Sequence, residues 1–254
     1  MSSFAKFIGA SLGWSFGGPI GGILGFALGS LIDGFSQTDL KSGSYSKRGA
    51  TATGDFEISL LILAAVVIKS DGKVNQRELD FVRSNFISMY GKVKADNAFK
   101  LFNGIMKEKI STRQVCVQIR QHMSHASRLQ LLHFLFGIAK ADGAVSYVEL
   151  QVIKKISVYL YISNRDFESI RAMFSTSSSR SNGSNNYTSS TAYKILEITK
   201  KATNTEVKKA YRKLVKKHHP DKLRHLGEEY QKGAEEKFRQ IQKAYEQIQK
   251  ERGM

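Results

Sequence analysis

Apolar residues are arranged along this chain in three regimes. The first is unbroken: no charged residue occurs between Phe7 and Ile32. As a helix that run would be about 39 Å long at ~1.5 Å per residue, enough to cross a hydrocarbon core with some tilt. The second regime covers residues 55–174, where apolar residues recur at helical spacing between short polar breaks and no period-two alternation stands out. Within it, Ile58 to Ile68 is strongly apolar but too short to span a bilayer, which predicts a buried core helix. The third begins after a serine-, asparagine- and threonine-rich stretch and consists of amphipathic segments with a wide polar face. The pattern predicts an all-α protein.

The second regime contains an internal repeat. Lys69-Ser70-Asp71-Gly72-Lys73-Val74-Asn75 precedes Glu78-Leu79 and Val82; Lys140-Ala141-Asp142-Gly143-Ala144-Val145-Ser146 precedes Glu149-Leu150 and Ile153. Each copy predicts a helix that stops at Asp-Gly, where glycine accepts a left-handed backbone. Asn75 or Ser146 then opens the next helix, with Glu78 or Glu149 completing a capping box.

The third regime reads as a helical hairpin. Thr203 and Glu206 form another capping box, opening a helix with Val207, Ala210, Tyr211, Leu214 and Val215 on one face. Its opposite face carries Lys208, Lys209, Arg212, Lys213, Lys216 and Lys217. Pro220 stops that helix by excluding the preceding residue from the α region. A last helix follows, with Phe238, Ile241, Ala244, Tyr245 and Ile248 as its apolar stripe. The turn between the helices begins His219-Pro220-Asp221.

Charge refines these readings. The net charge of +17 over 254 residues calls for an acidic counterpart: phosphate, anionic lipid or an acidic protein face. In the uncharged N-terminal run, glycine recurs at Gly9, Gly13, Gly17, Gly21, Gly25 and Gly29. Four-residue spacing makes a smooth helix stripe that lets a second membrane helix approach closely, so homodimerisation through the anchor is expected. A cleaved leader would have a shorter apolar core and a more basic start. Lys41, Lys47 and Arg48 follow the run against Lys6 before it, which favours a cytoplasmic bulk. The resulting division is an anchor at 1–35, a linker at 36–54, a helical domain at 55–174, a flexible tether at 175–190 and a C-terminal unit at 191–254.

The C-terminal unit resembles the J-domain family. The likeness is carried in order by Tyr-Lys-Ile-Leu, Glu-Val-Lys-Lys-Ala-Tyr-Arg-Lys-Leu, His-His-Pro-Asp-Lys and Phe-Arg-Gln-Ile-Gln-Lys-Ala-Tyr-Glu. One departure is Glu197, where many J-domains have glycine; it is expected to affect the turn after the first helix and not the loop. The whole chain resembles the DjlA group, with a glycine-rich span, a TerB-like helical domain carrying the Asp-Gly repeat, a tether and a J-domain. The resemblance implies a co-chaperone in the inner membrane, single-pass, with its C-terminal domains in the cytoplasm. It implies a DnaK-type chaperone as partner, triggered by His219, Pro220 and Asp221 and steered by the basic helix.

Other chemistries fit less well. The basic helix lacks interleaved exposed aromatics for base stacking, so no nucleic-acid partner is expected. Cys116 is the single cysteine, which excludes an internal disulfide. His122, His125 and His133 come with no nucleophile motif or phosphate-cradling loop, and His133 lies in an apolar run that predicts packing; no enzyme is expected. Asp71, Glu78, Asp142 and Glu149 are oxygen donors of the kind hard cations take. A divalent ion sensed by the TerB-like domain is therefore the alternative reading; otherwise no cofactor is expected.

Overall fold

The computed structural model describes residues 18–23, 25, 52–175, 188–221 and 228–254, and all regular structure among them is helical. It divides into two compact units, Met1–Met123 and Ser124–Met254. The division falls inside the segment 55–174 expected to act as one domain. Most of the glycine repeat, including Gly9, Gly13, Gly17 and Gly29, lies outside the described residues, as do most of the linker and the tether. Gly21 and Gly25 are helical, and Gly18 begins that stretch with φ +58°. Among the described residues no helix is long and apolar enough to cross a membrane.

The first unit is built on α1 (Ala52–Ile68), which packs against α2 (Gln76–Ile105) and α3 (Thr112–His122). Residues Leu60 to Ala65 are at most 1 % exposed, so the expected core helix is one. Gly72 takes φ +77° where the repeat predicts a left-handed stop. Asn75 and Glu78 then form both halves of the capping box at the start of α2. α2 is broken at Gly91, whose φ 77° and ψ 164° suit glycine alone. Arg83 spans the break, bonding Asp96 at 2.8 Å and lying over the Phe99 ring.

The second unit comprises α4 (His125–Lys140), α5 (Tyr147–Tyr159), α6 (Asn164–Phe174), α7 (Ser189–Ile195), α8 (Asn204–Lys217) and α9 (Glu228–Arg252). The second repeat copy matches the first: Gly143 has φ +128°, and Ser146 with Glu149 caps α5. α4 packs on α5, α6 and α9, while α7 packs on α6 and α9. One buried cluster joins Ala172 and Met173 of α6 to Tyr193 and Ile195 of α7, Leu214 of α8 and Ile241 of α9. The C-terminal hairpin therefore shares its core with α6. Seven-residue α7 is too short to be stable alone, and α6 supplies apolar surface on its free side.

Candidate functional site

α8 and α9 bring the His-Pro-Asp turn to the end of a hairpin. Thr203 accepts from the backbone N–H of Glu206 at 3.3 Å, and the Glu206 carboxylate accepts from the N–H of Thr203 at 2.7 Å. Tyr211 of α8 stacks on Tyr245 of α9 with ring centroids 4.1 Å apart, locking the helices together. α8 ends at His218, whose N–H still bonds the Leu214 carbonyl, and Pro220-Asp221 follow as a short 3₁₀ turn. The turn closes on itself: the backbone N–H of Asp221 donates to Nδ1 of His219 at 3.2 Å. That bond uses Nδ1 as an acceptor, and the Asp221 carboxylate lies 3.6 Å from the same atom. The His219 ring also stands edge-on to Phe238 of α9, at 6.1 Å. Both side chains remain accessible, His219 at 44 % and Asp221 at 59 %.

Beside the turn, Lys208, Lys209, Arg212, Lys213 and Lys216 are exposed as the pattern predicts. Lys217 is not part of that face. Its ammonium is turned inward and paired with Asp166 of α6, which is 4 % exposed, and lies 3.7 Å from Glu197. The sequence reading missed this because helical spacing places Lys217 with the other cations and says nothing of a helix packed against α8.

Glu197 lies in the turn after α7, where it was expected to act. Its φ of 58° explains why glycine is favoured at that position in the J-domain family. Its carboxylate also lies 3.7 Å from the ammonium of Lys217 in the last turn of α8. Burial pushes the Glu197 carboxyl up, and the neighbouring Asp166 charge adds to this against the pull of Lys217. Burial also opposes ionisation of Asp166, but hydrogen bonds from Lys217 and Ser163 outweigh it and hold that carboxyl below its usual range. Of this linked pair, Asp166 is the ionised partner that holds Lys217.

A second buried polar group sits on the last helix. Lys237 is 1 % exposed and donates to Oε1 of Gln130 of α4 at 3.2 Å. Burial lowers its pKa to about 7, Asp166 opposing and Lys217 assisting. His133 is packed against Phe174, as expected, and approaches Gln240 of α9 at 3.3 Å. Burial and Lys237 push its pKa down to about 3, so it is neutral at physiological pH. Burial, with the charges of Lys237 and Lys217, likewise keeps His218 well below its usual pKa. A signal for Lys237 existed: it lies four residues before Ile241, on the apolar stripe of α9.

The four carboxylates considered for a cation are spent otherwise or stand apart. Glu78 and Glu149 are buried and accept the N–H groups of Asn75 and Ser146, at 3.3 and 2.7 Å. Asp71 accepts from the N–H of Lys73. Among the described residues, which include Asp142, no three His, Cys, Asp or Glu side chains are grouped to hold a metal ion. Accessible His219 and Asp221 follow the helix that carries the row of exposed cations.

Comparison with known proteins matches three parts of the chain. The DnaJ domain matches residues 191–253, Tellurite resistance protein TerB matches 57–172, and the Co-chaperone DjlA transmembrane domain matches 1–49. Co-chaperone protein DjlA of Vibrio cholerae is 31 % identical, and that of Coxiella burnetii 29 % identical, over the whole of both chains in each case. The Haemophilus influenzae protein of the same name is 28 % identical, over 100 % of this chain and 99 % of its own. No solved structure matches the chain.

Proposed function

The chain belongs to the DjlA family of J-domain co-chaperones, and on that premise we propose that it recruits a DnaK-type chaperone to a membrane and stimulates its ATP hydrolysis. The observation that carries this reading is the exposed His219 and Asp221 pair, fixed by the turn's own hydrogen bond and flanked by the exposed cations of α8. Asp221 offers a carboxylate to a partner arginine, a charge-assisted bond that suits a trigger contact. Lys208, Lys209, Arg212, Lys213 and Lys216 act at longer range, raising the rate of encounter with an acidic face.

The match to a transmembrane domain supports an N-terminal membrane anchor. Placement in the inner membrane with a single span rests on the likeness to the DjlA group, and cytoplasmic C-terminal units on a slight excess of flanking charge, Lys41, Lys47 and Arg48 against Lys6. Self-association of that anchor through Gly9, Gly13, Gly17, Gly21, Gly25 and Gly29 belongs to the same proposal. Recruitment is tested by a pull-down from detergent-solubilised membranes. Intact bait should retain a DnaK-type chaperone in the presence of ATP, and His219→Gln bait should lose it. Equal retention by both baits would remove the trigger role.

A further inference from the structure

We propose that the chaperone-docking surface is composite: it runs from α8 onto the middle domain, where Arg165 of α6 joins Lys209 and Lys213 in one groove that takes an acidic segment of the DnaK-type partner. This rests on the co-chaperone reading above.

The groove has a volume of about 800 Å³ and is walled by the first turns of α6, the turn after α7 and the outer side of α8. Arg165, Lys194, Lys201, Lys209 and Lys213 all line it. Three carboxylates, Glu168, Glu197 and Glu206, face these five cations and offset part of their charge, leaving cations in excess. Glu168 is paired with Arg171 at 3.3 Å. Glu206 is bound into the cap of α8 by the N–H and hydroxyl of Thr203. Burial raises the pKa of the Glu197 carboxyl, against the pull of Lys217 and Lys213. The groove therefore presents a positive field to an occupant, and charge complementarity selects an acidic one.

Two features make this one surface and not two adjacent ones. Lys209 and Lys213 belong both to the groove and to the exposed face of α8 that leads to His219, so an occupant of the groove continues onto that face. The walls are also fixed to each other. Ser169 of α6 donates to the carbonyl of Ile195 at 2.6 Å, satisfying an otherwise open acceptor at the end of α7. Asp166, next to Arg165, holds Lys217 at the far end of α8. Ala172 and Met173 complete the apolar core beneath. A hairpin swinging on a tether would present α8 alone; here Arg165 is held in register with it.

The test measures binding of the full-length, detergent-solubilised chain to an immobilised DnaK-type chaperone in ATP. Arg165→Glu should weaken binding about tenfold, equivalent to ~1.4 kcal/mol, with an unchanged melting temperature. Arg165→Lys should stay within about threefold of the parent, since a point charge remains. Lys209→Glu with Lys213→Glu, and separately His219→Gln, report on the underlying reading. If those two variants lose binding while Arg165→Glu keeps it, docking is confined to α8 and the composite surface is refuted. Should all of the variants bind like the parent, the co-chaperone reading itself fails and takes this inference with it. Chaperone binding retained by Arg165→Glu, but with lost sedimentation on anionic phosphatidylglycerol vesicles, would overturn the inference in favour of a lipid surface.

Discussion

Arg252 ties the end of α9 to the start of the C-terminal unit with a single side chain. Its guanidinium bonds the Tyr193 hydroxyl at 2.7 Å, the carbonyls of Ala202 and Lys200 at 2.6 and 2.8 Å, and Asn204 at 3.1 Å. Four acceptors in different directions use the planar fork that lysine lacks. Arg252→Ala should cost about 2 kcal/mol of stability in urea denaturation, from several charged hydrogen bonds lost at once, and Arg252→Lys should restore little of it. Lys237 makes the opposite case. Buried ammonium is costly, and its folded-state pKa of about 7 lies below its ordinary 10.5. The unfolded chain then binds more protons than the folded one between those values, so stability should rise with pH from about 7 towards 10. Lys237→Met removes the buried charge at similar volume. It should raise the melting temperature at pH 7 and flatten its dependence on pH across that window, as followed by circular dichroism.

Helix boundaries follow from local chemistry, and they were legible. All three capping boxes form at the expected residues, because the bonds involved reach only three positions along the chain. The left-handed Gly72 and Gly143 follow from the same local rule. Gly91 was not legible: a glycine among helix formers is usually tolerated, and nothing local distinguishes a break from a continuous helix. No atom stands within 4 Å of where a Cβ would lie, so the cost of Gly91→Ala is purely one of backbone. It should destabilise the first unit by about 1–3 kcal/mol, read as a lower urea midpoint with an unchanged slope. The stripe of α9 is partly as expected, with Ile241, Ala244 and Ile248 buried. Ala234 and Lys237 are buried with them, whereas Phe238 and Tyr245 are half-exposed. Hydrophobicity alone selects the aromatics and passes over a lysine, although spacing favours Lys237.

At the scale of the molecule, the order of segments was readable from composition, and the match to a J-domain from an ordered set of short motifs. What sequence could not show is how α6 and the C-terminal hairpin combine. A run of serine and asparagine between them suggests independence, but linker composition carries no information about the surfaces at its two ends. Those surfaces meet through the Asp166–Lys217 pair and a shared core, which moves Lys217 out of the basic face and brings Arg165 next to it. Asp166→Asn should therefore weaken chaperone binding several-fold without touching the trigger, by loosening the register between α6 and α8; a surface plasmon resonance comparison with the parent would show it. The central claim is that His219 and Asp221 act on a partner ATPase, and single-turnover ATP hydrolysis by a DnaK-type chaperone tests it most directly. The intact chain should accelerate that hydrolysis, and His219→Gln or Asp221→Asn should abolish the acceleration while helical content is unchanged. Acceleration that survives in both variants, or is missing with the intact chain, would contradict it.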